Sequence, residues 1–192
     1  IAIDVYGFDT GQGMPPPLDY RDLPHVWQEG FFRMDVDALK RRLQRAQLVL
    51  GNVTETAQSF LTRTDIAPIG FISFDLDYYS STVQAFRLLE GAPSFFLPRV
   101  YCYFDDIVGS DWEQHSEYAG VLLAIREFNA AHATRKLAPI NSLRHKRKIQ
   151  AAWNDQLYIF HDFHHPHYAH HILPDKNWHL PLMPAKNRVS GI

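Results

Sequence analysis

GFISFDLD, from Gly70 to Asp77, and RVYCYFDD, from Arg99 to Asp106, are short apolar, aromatic-rich runs that both end in paired acids. Each reads as a strand, and Ser80 to Leu89 between them has the spacing of a helix. Outward from this pair the same alternation continues. IAIDVYGF (Ile1 to Phe8) is strand-like and ends at Asp9. Val36 to Ala46 is helical, with Asp35 placed as its N-cap. QLVL (Gln47 to Leu50) is a strand followed by Gly51-Asn52, and Thr54 to Leu61 is a helix. Downstream, Ser116 to Ala131 is the clearest amphipathic helix, with Val121, Leu122, Ile125 and Phe128 on one side. Asn141 to Gln150 reads as a basic loop or exposed strand, and Trp153 to Phe163 as a final strand. Strands this uniformly apolar, alternating with helices, indicate an α/β fold with a mainly parallel sheet.

Ligands of such sheets bind at the carboxyl ends of the strands. Here Asp9, Asp75 with Asp77, and Asp105 with Asp106 stand at strand ends and would share one rim. Carboxylates gathered there repel one another, and a divalent cation with oxygen preference removes the repulsion. A metal-bound hydroxyl is more acidic, and a carboxylate outside the metal shell can take its proton. Asp9 is also placed to accept hydrogen bonds from a ribose, or to form a turn before Thr10-Gly11. Gly51-Asn52 lets a ligand approach the backbone.

Composition narrows the classes. The chain has 192 residues, 19 basic and 21 acidic, for a formal net charge of −2. It therefore carries no global basic field for nucleic acid or an anionic membrane. No run approaches the roughly 20 apolar residues of a membrane span. The single cysteine, Cys102, excludes an internal disulfide and a Cys-rich zinc site, and fits a cytoplasmic protein. Thirteen Phe, nine Tyr and four Trp supply bulk for a core.

Four segments in order resemble the macrocin O-methyltransferase-like family of class I, Mg²⁺-dependent, S-adenosylmethionine-dependent methyltransferases. GFDTGQGMP (Gly7 to Pro15) with Trp27 and Gly30-Phe31 is similar to that family's GFDSFEGLP…W…GF. LVLGNVTET (Leu48 to Thr56) resembles its strand–Gly–acid segment, with Asn52 in place of the acid. FISFDLDYYSST (Phe71 to Thr82) and YFDD (Tyr103 to Asp106) resemble its two acidic motifs, with Phe74 and Tyr79 as departures. The resemblance runs from about residue 3 to residue 109. It implies a Rossmann-like class I methyltransferase fold, a mainly parallel sheet with helices on both faces. It implies Asp77, Asp105 and Asp106 as metal ligands, Asp75 as general base, and Asp9 with Gly51 and Asn52 at the cofactor S-adenosylmethionine. The acceptor would be a hydroxyl on a sugar or another small natural-product-like molecule. The family's first strand and Gly-rich cofactor loop would lie before Ile1. That leads us to expect an N-terminally truncated fragment that binds cofactor weakly, with sheet neighbours left unpaired.

Seven of the 11 His fall between His161 and His179. Spacing such as His161-x-x-His164 permits imidazole ligation of a metal, although local hydrogen bonding of each His is the simpler reading. Gln156 and His161 are candidate substrate contacts, because the stretch after the last core strand often shapes an acceptor pocket. We expect one partial methyltransferase domain over 1–173, with 151–173 a strand and His-rich segment, and a tail over 174–192. Two other functions fit less well. A haloacid-dehalogenase-type phosphatase would use Asp-x-Asp, but no Lys lies between Asp77 and Asp105. A non-catalytic fragment would only fold or pair with a partner. The oligomeric state stays open, a homo-oligomer included.

Overall fold

A computed structural model describes residues 3–171; the expected tail over 174–192 and His179 lie outside the described residues. Strand β1 (Val5–Asp9) leads through helix α1 (Val36–Arg42) to β2 (Ala46–Leu50), and the two strands pair in parallel with Asp9 opposite Leu50. Asp35 caps α1 as expected, its carboxylate accepting from the Ala38 amide at 2.9 Å. Helix α2 (Val53–Phe60) then crosses to a second sheet.

That sheet has the order β3-β4-β6-β5, where β3 is Ile69–Phe74, β4 Phe96–Phe104, β5 Arg135–Pro139 and β6 Leu157–Asp162. Helix α3 (Tyr79–Ala85) joins β3 to β4, which run parallel, while α4 (Gly120–Ala131) leads to β5. Strand β6 is antiparallel to both its neighbours. The α/β expectation therefore holds. Pairing is parallel where a helix joins adjacent strands, and only β6, between β4 and the edge strand β5, runs against its neighbours. Among the described residues β1 pairs only with β2, and β3 only with β4. Each is thus an edge strand of its sheet.

Three local features differ from the sequence reading. Arg135–Pro139 (RKLAP) forms the edge strand β5 although only Leu137 in it is buried. Its strand state comes from outside: the Asn129 side chain donates to the Leu137 carbonyl and accepts from its amide, both at 2.8 Å. Instead of a loop or strand, the basic stretch after Asn141 contains one helical turn, α5 (Leu143–Lys146). Helix α4 starts at Gly120 rather than at Ser116, because Gly120 takes φ +68°, a left-handed backbone that sets the turn before the helix.

The core is a chain of aromatic rings. Phe74 stacks on Phe104 at 4.8 Å, Phe86 meets Phe74 and Phe128 edge-on at 5.3 Å, and Tyr158 meets Phe104 at 5.1 Å. Val100, Cys102 and Phe104 alternate inward from β4 and are fully buried. Burial pushes the Cys102 thiol up to about 12. The opposite face of β3 and β4 is also apolar, with Phe71 in register with Tyr101 and both more than half exposed. Phe60 of α2 packs edge-on against Tyr6 and Phe8 of β1 at 4.9 and 5.3 Å. No helix among the described residues is long and apolar enough to cross a membrane.

Candidate active site

β3 and β4 run parallel and end in register, Phe74 opposite Phe104, so the chain must deliver both acidic pairs to one rim. Beyond Phe74 the strand gives way to a tight turn around Asp77, whose φ of +57° is left-handed, and the Tyr78 amide donates to the Leu76 carbonyl at 2.5 Å. Asp is among the few residues that accept this backbone. The turn wraps one carboxylate oxygen of Asp106: Oδ2 accepts from the Leu76 and Asp77 amides, each at 2.9 Å. Asp106 is thereby buried and fixed, with Oδ1 as its remaining oxygen.

One oxygen each of Asp75, Asp105 and Asp106 then lies within 4.8 Å of the others. Three hard oxygen donors this close suit a Mg²⁺-sized cation, which takes oxygens and keeps several waters. The expected trio was Asp77, Asp105 and Asp106. The turn exchanges the neighbours: Asp75 joins the convergent set, while Asp77 sits beside Asp106. The carboxyl of Asp77 is pushed up to about 8, first by burial and then by the charge of Asp106. Asp75 is raised as well, by burial and by the charges of Asp106 and Asp105. In both, burial is the larger cause and the neighbouring carboxylates add to it.

Two supporting residues escape a motif-based reading. Tyr103 donates its hydroxyl to Asp105 Oδ1 at 2.8 Å, and burial together with this bond pushes it up to about 12. Tyr103 is two residues before Asp105, a spacing that puts strand side chains on one face. Asp22, fully buried in the loop before Trp27, accepts from the Ser80 amide at 2.8 Å and from the Ser80 hydroxyl at 2.9 Å. It also accepts from the Leu18 amide at 2.8 Å. Helix α3, which begins directly behind the acidic turn, has no side-chain cap of its own, and Asp22 supplies one from 58 residues away. The same loop meets the segment after Asp106 where His25 Nε2 lies 3.1 Å from the Trp112 carbonyl.

The remaining candidates fall elsewhere. Gln156 is buried at the acidic end, where its amide donates to the Asp105 carbonyl at 2.6 Å and its oxygen accepts from Tyr103 at 3.2 Å. It holds Asp105 in place. His161 lies away from the acidic rim: β6 runs antiparallel to β4 and pairs His161 with Arg99, six residues before Asp105, or about 20 Å along the strand. Its ring is paired with Tyr168 instead, Nδ1 lying 2.7 Å from the hydroxyl. Asp9, Gly51 and Asn52 form a separate group at the carboxyl ends of β1 and β2. The Gly51 amide donates to the Asp9 carbonyl at 2.9 Å, and Asp9 Oδ1 accepts from the Gly11 amide in a tight turn. Asn52 caps α2 by accepting from the Thr54 amide at 2.8 Å.

No protein-family model and no curated protein matches the chain. Solved structures similar to it include two methyltransferases. The crystal structure of CalS11, a calicheamicin methyltransferase, is 21% identical with a TM-score of 0.51, and a structure of the O-methyltransferase NovP is 17% identical with a TM-score of 0.51. Each likeness covers 82% of this chain and 60% of the other. At these identities the likeness is one of fold: the chain has a methyltransferase-type α/β fold and spans 60% of the length of each of these enzymes.

Proposed function

We propose that the protein is an S-adenosylmethionine-dependent, Mg²⁺-dependent O-methyltransferase whose acceptor is a hydroxyl of a sugar or another small natural-product-like molecule. The observation that carries this reading is the convergence of Asp75, Asp105 and Asp106 at the carboxyl rim, in a fold shared with two methyltransferases. S-adenosylmethionine supplies an electrophilic methyl group, and the protein's share is to align and deprotonate the acceptor oxygen.

In this reading Asp75, Asp105 and Asp106 hold the cation, with Tyr103 and Gln156 fixing Asp105 and the Leu76–Asp77 amides fixing Asp106. Asp77, the carboxyl outside the trio, receives the acceptor proton, so the roles expected for Asp75 and Asp77 are exchanged. Asp9, Gly51 and Asn52 contribute one flank of the cofactor site.

The test is formation of S-adenosylhomocysteine by the protein expressed from its whole gene, against a panel of glycosides with free hydroxyls. Turnover should require Mg²⁺, fall with EDTA and vanish in Asp105→Asn. An independent readout is Mn²⁺ binding by electron paramagnetic resonance, which should weaken in the same variant. Metal-independent turnover, or unchanged Mn²⁺ binding in Asp105→Asn, would overturn the reading.

A further inference from the structure

Among the described residues, the histidines after β6 lie at the end of the sheet remote from the acids, since β6 carries the chain back past Arg99. The segment is tied down on both sides of His167. The His165 amide donates to the Asp162 carbonyl at 3.0 Å, and the His164 amide to the Asp162 carboxylate at 3.2 Å. Farther on, Arg99 lies over the Tyr168 ring at 4.0 Å and donates to the Tyr168 carbonyl at 2.9 Å. Between these anchors the chain turns tightly. The His167 amide donates to His165 Nδ1 at 3.1 Å, and the His170 amide to the His167 carbonyl at 3.2 Å.

This turn brings two exposed imidazoles face to edge, with ring centroids 5.0 Å apart and the two Nδ1 atoms 3.1 Å apart. Two nitrogens each about 2.0–2.1 Å from one ion are about 2.9 Å apart at a right angle and about 3.4 Å apart at the tetrahedral angle. The observed separation lies between these values. In the absence of an ion, the same contact requires one of the two nitrogens to carry a proton. Both rings are open to solvent, so water can complete a coordination shell.

We propose that His167 and His170 form a two-imidazole chelate for a borderline transition metal, of the Zn²⁺, Ni²⁺ or Cu²⁺ type, separate from the acidic rim. Imidazole pairs suit these ions, with affinity rising towards Cu²⁺, whereas Mg²⁺ prefers oxygen. The pair is preorganised by Asp162 and Tyr168, so little ordering of the segment is needed on binding. The site differs from the His161–His164 spacing suggested by the sequence, because His161 is taken by Tyr168.

The test is titration with ZnCl₂ and NiCl₂ at pH 7.5, in Mg²⁺ sufficient to occupy carboxylate sites, followed by calorimetry and long-range ¹H–¹⁵N NMR of the imidazoles. One site per chain is expected, with Zn²⁺ moving the Nδ1 resonances of His167 and His170. His167→Ala and His170→Ala should each weaken it by at least about tenfold, with unchanged far-ultraviolet circular dichroism. His164→Ala should leave it intact, and so should His179→Ala. Unchanged affinity in His167→Ala and His170→Ala, or Zn²⁺ shifts confined to other histidines, would overturn the proposal. A site lost in His179→Ala would also overturn it.

Discussion

At the scale of single residues, the acidic rim makes its own division of labour testable. If Asp75 is a ligand and Asp77 the proton acceptor, Asp75→Asn should weaken Mn²⁺ binding by at least about tenfold. Asp77→Asn should leave it within a few-fold and cut turnover by about 10²–10⁴-fold, as for a lost acid–base group. The reverse result would restore the roles that the family resemblance implies. The pH behaviour has a definite sign. The carboxyl of Asp77 is raised from 3.8 to about 8 in the fold, so between those values the folded state holds a proton that the unfolded chain has lost. Metal-free stability should therefore fall as pH rises from about 4 to about 8. Asp77→Asn should flatten that slope, and Mg²⁺ should relieve it; thermal melts across this range, with and without the ion, measure both. The four acids were legible in the sequence because parallel strands with acidic ends share a rim. Which of them converge was not, because a left-handed residue after the strand breaks the two-residue alternation on which such a reading depends.

Among elements, the long-range clamps decide more than the motifs. Asp22 caps α3 from a distant loop and is fully buried. Asp22→Ala removes the acceptor for two amides and a hydroxyl, and should cost about 1–3 kcal/mol in urea denaturation, with Asp22→Asn milder. Nothing in the local sequence around Asp22 marks this role, since its partner Ser80 is 58 positions on. The edge strand β5 escaped for a similar reason. Two of its five residues are basic and one is Pro, yet Arg135 is drawn inside. It pairs with Asp162 at 3.0 Å and donates to the Leu89 and Gly91 carbonyls at 2.7 and 2.9 Å. Asp162 is 2% exposed. Arg135→Met strands that carboxylate without a cation and should cost about 3–5 kcal/mol, read from the shift in the denaturation midpoint. The helix α1, by contrast, was visible in advance, because Asp35 stands where a cap must stand and apolar spacing follows it.

For the whole molecule, α2 packs against both β1 and α3, and its Phe60 ring touches Tyr6 and Phe8 of β1. Phe60→Ala should release the β1–α1–β2 unit before the β3–β4–β6–β5 sheet. Hydrogen exchange should then show β1 and β2 amides losing protection while those of β4 and β6 keep it. Uniform loss across both sheets would mean that they open as one. Cys102 adds a consequence of another kind. It is the protein's only thiol, sealed in the middle of the central strand β4 and held protonated at ordinary pH by its surroundings. An alkylating reagent cannot meet a thiolate there until β4 itself comes apart. The reaction of the intact protein with iodoacetamide thus works as a stopwatch without an engineered probe. Each modified molecule records one complete opening of the fold, and its rate can be compared between cation-loaded and cation-free protein.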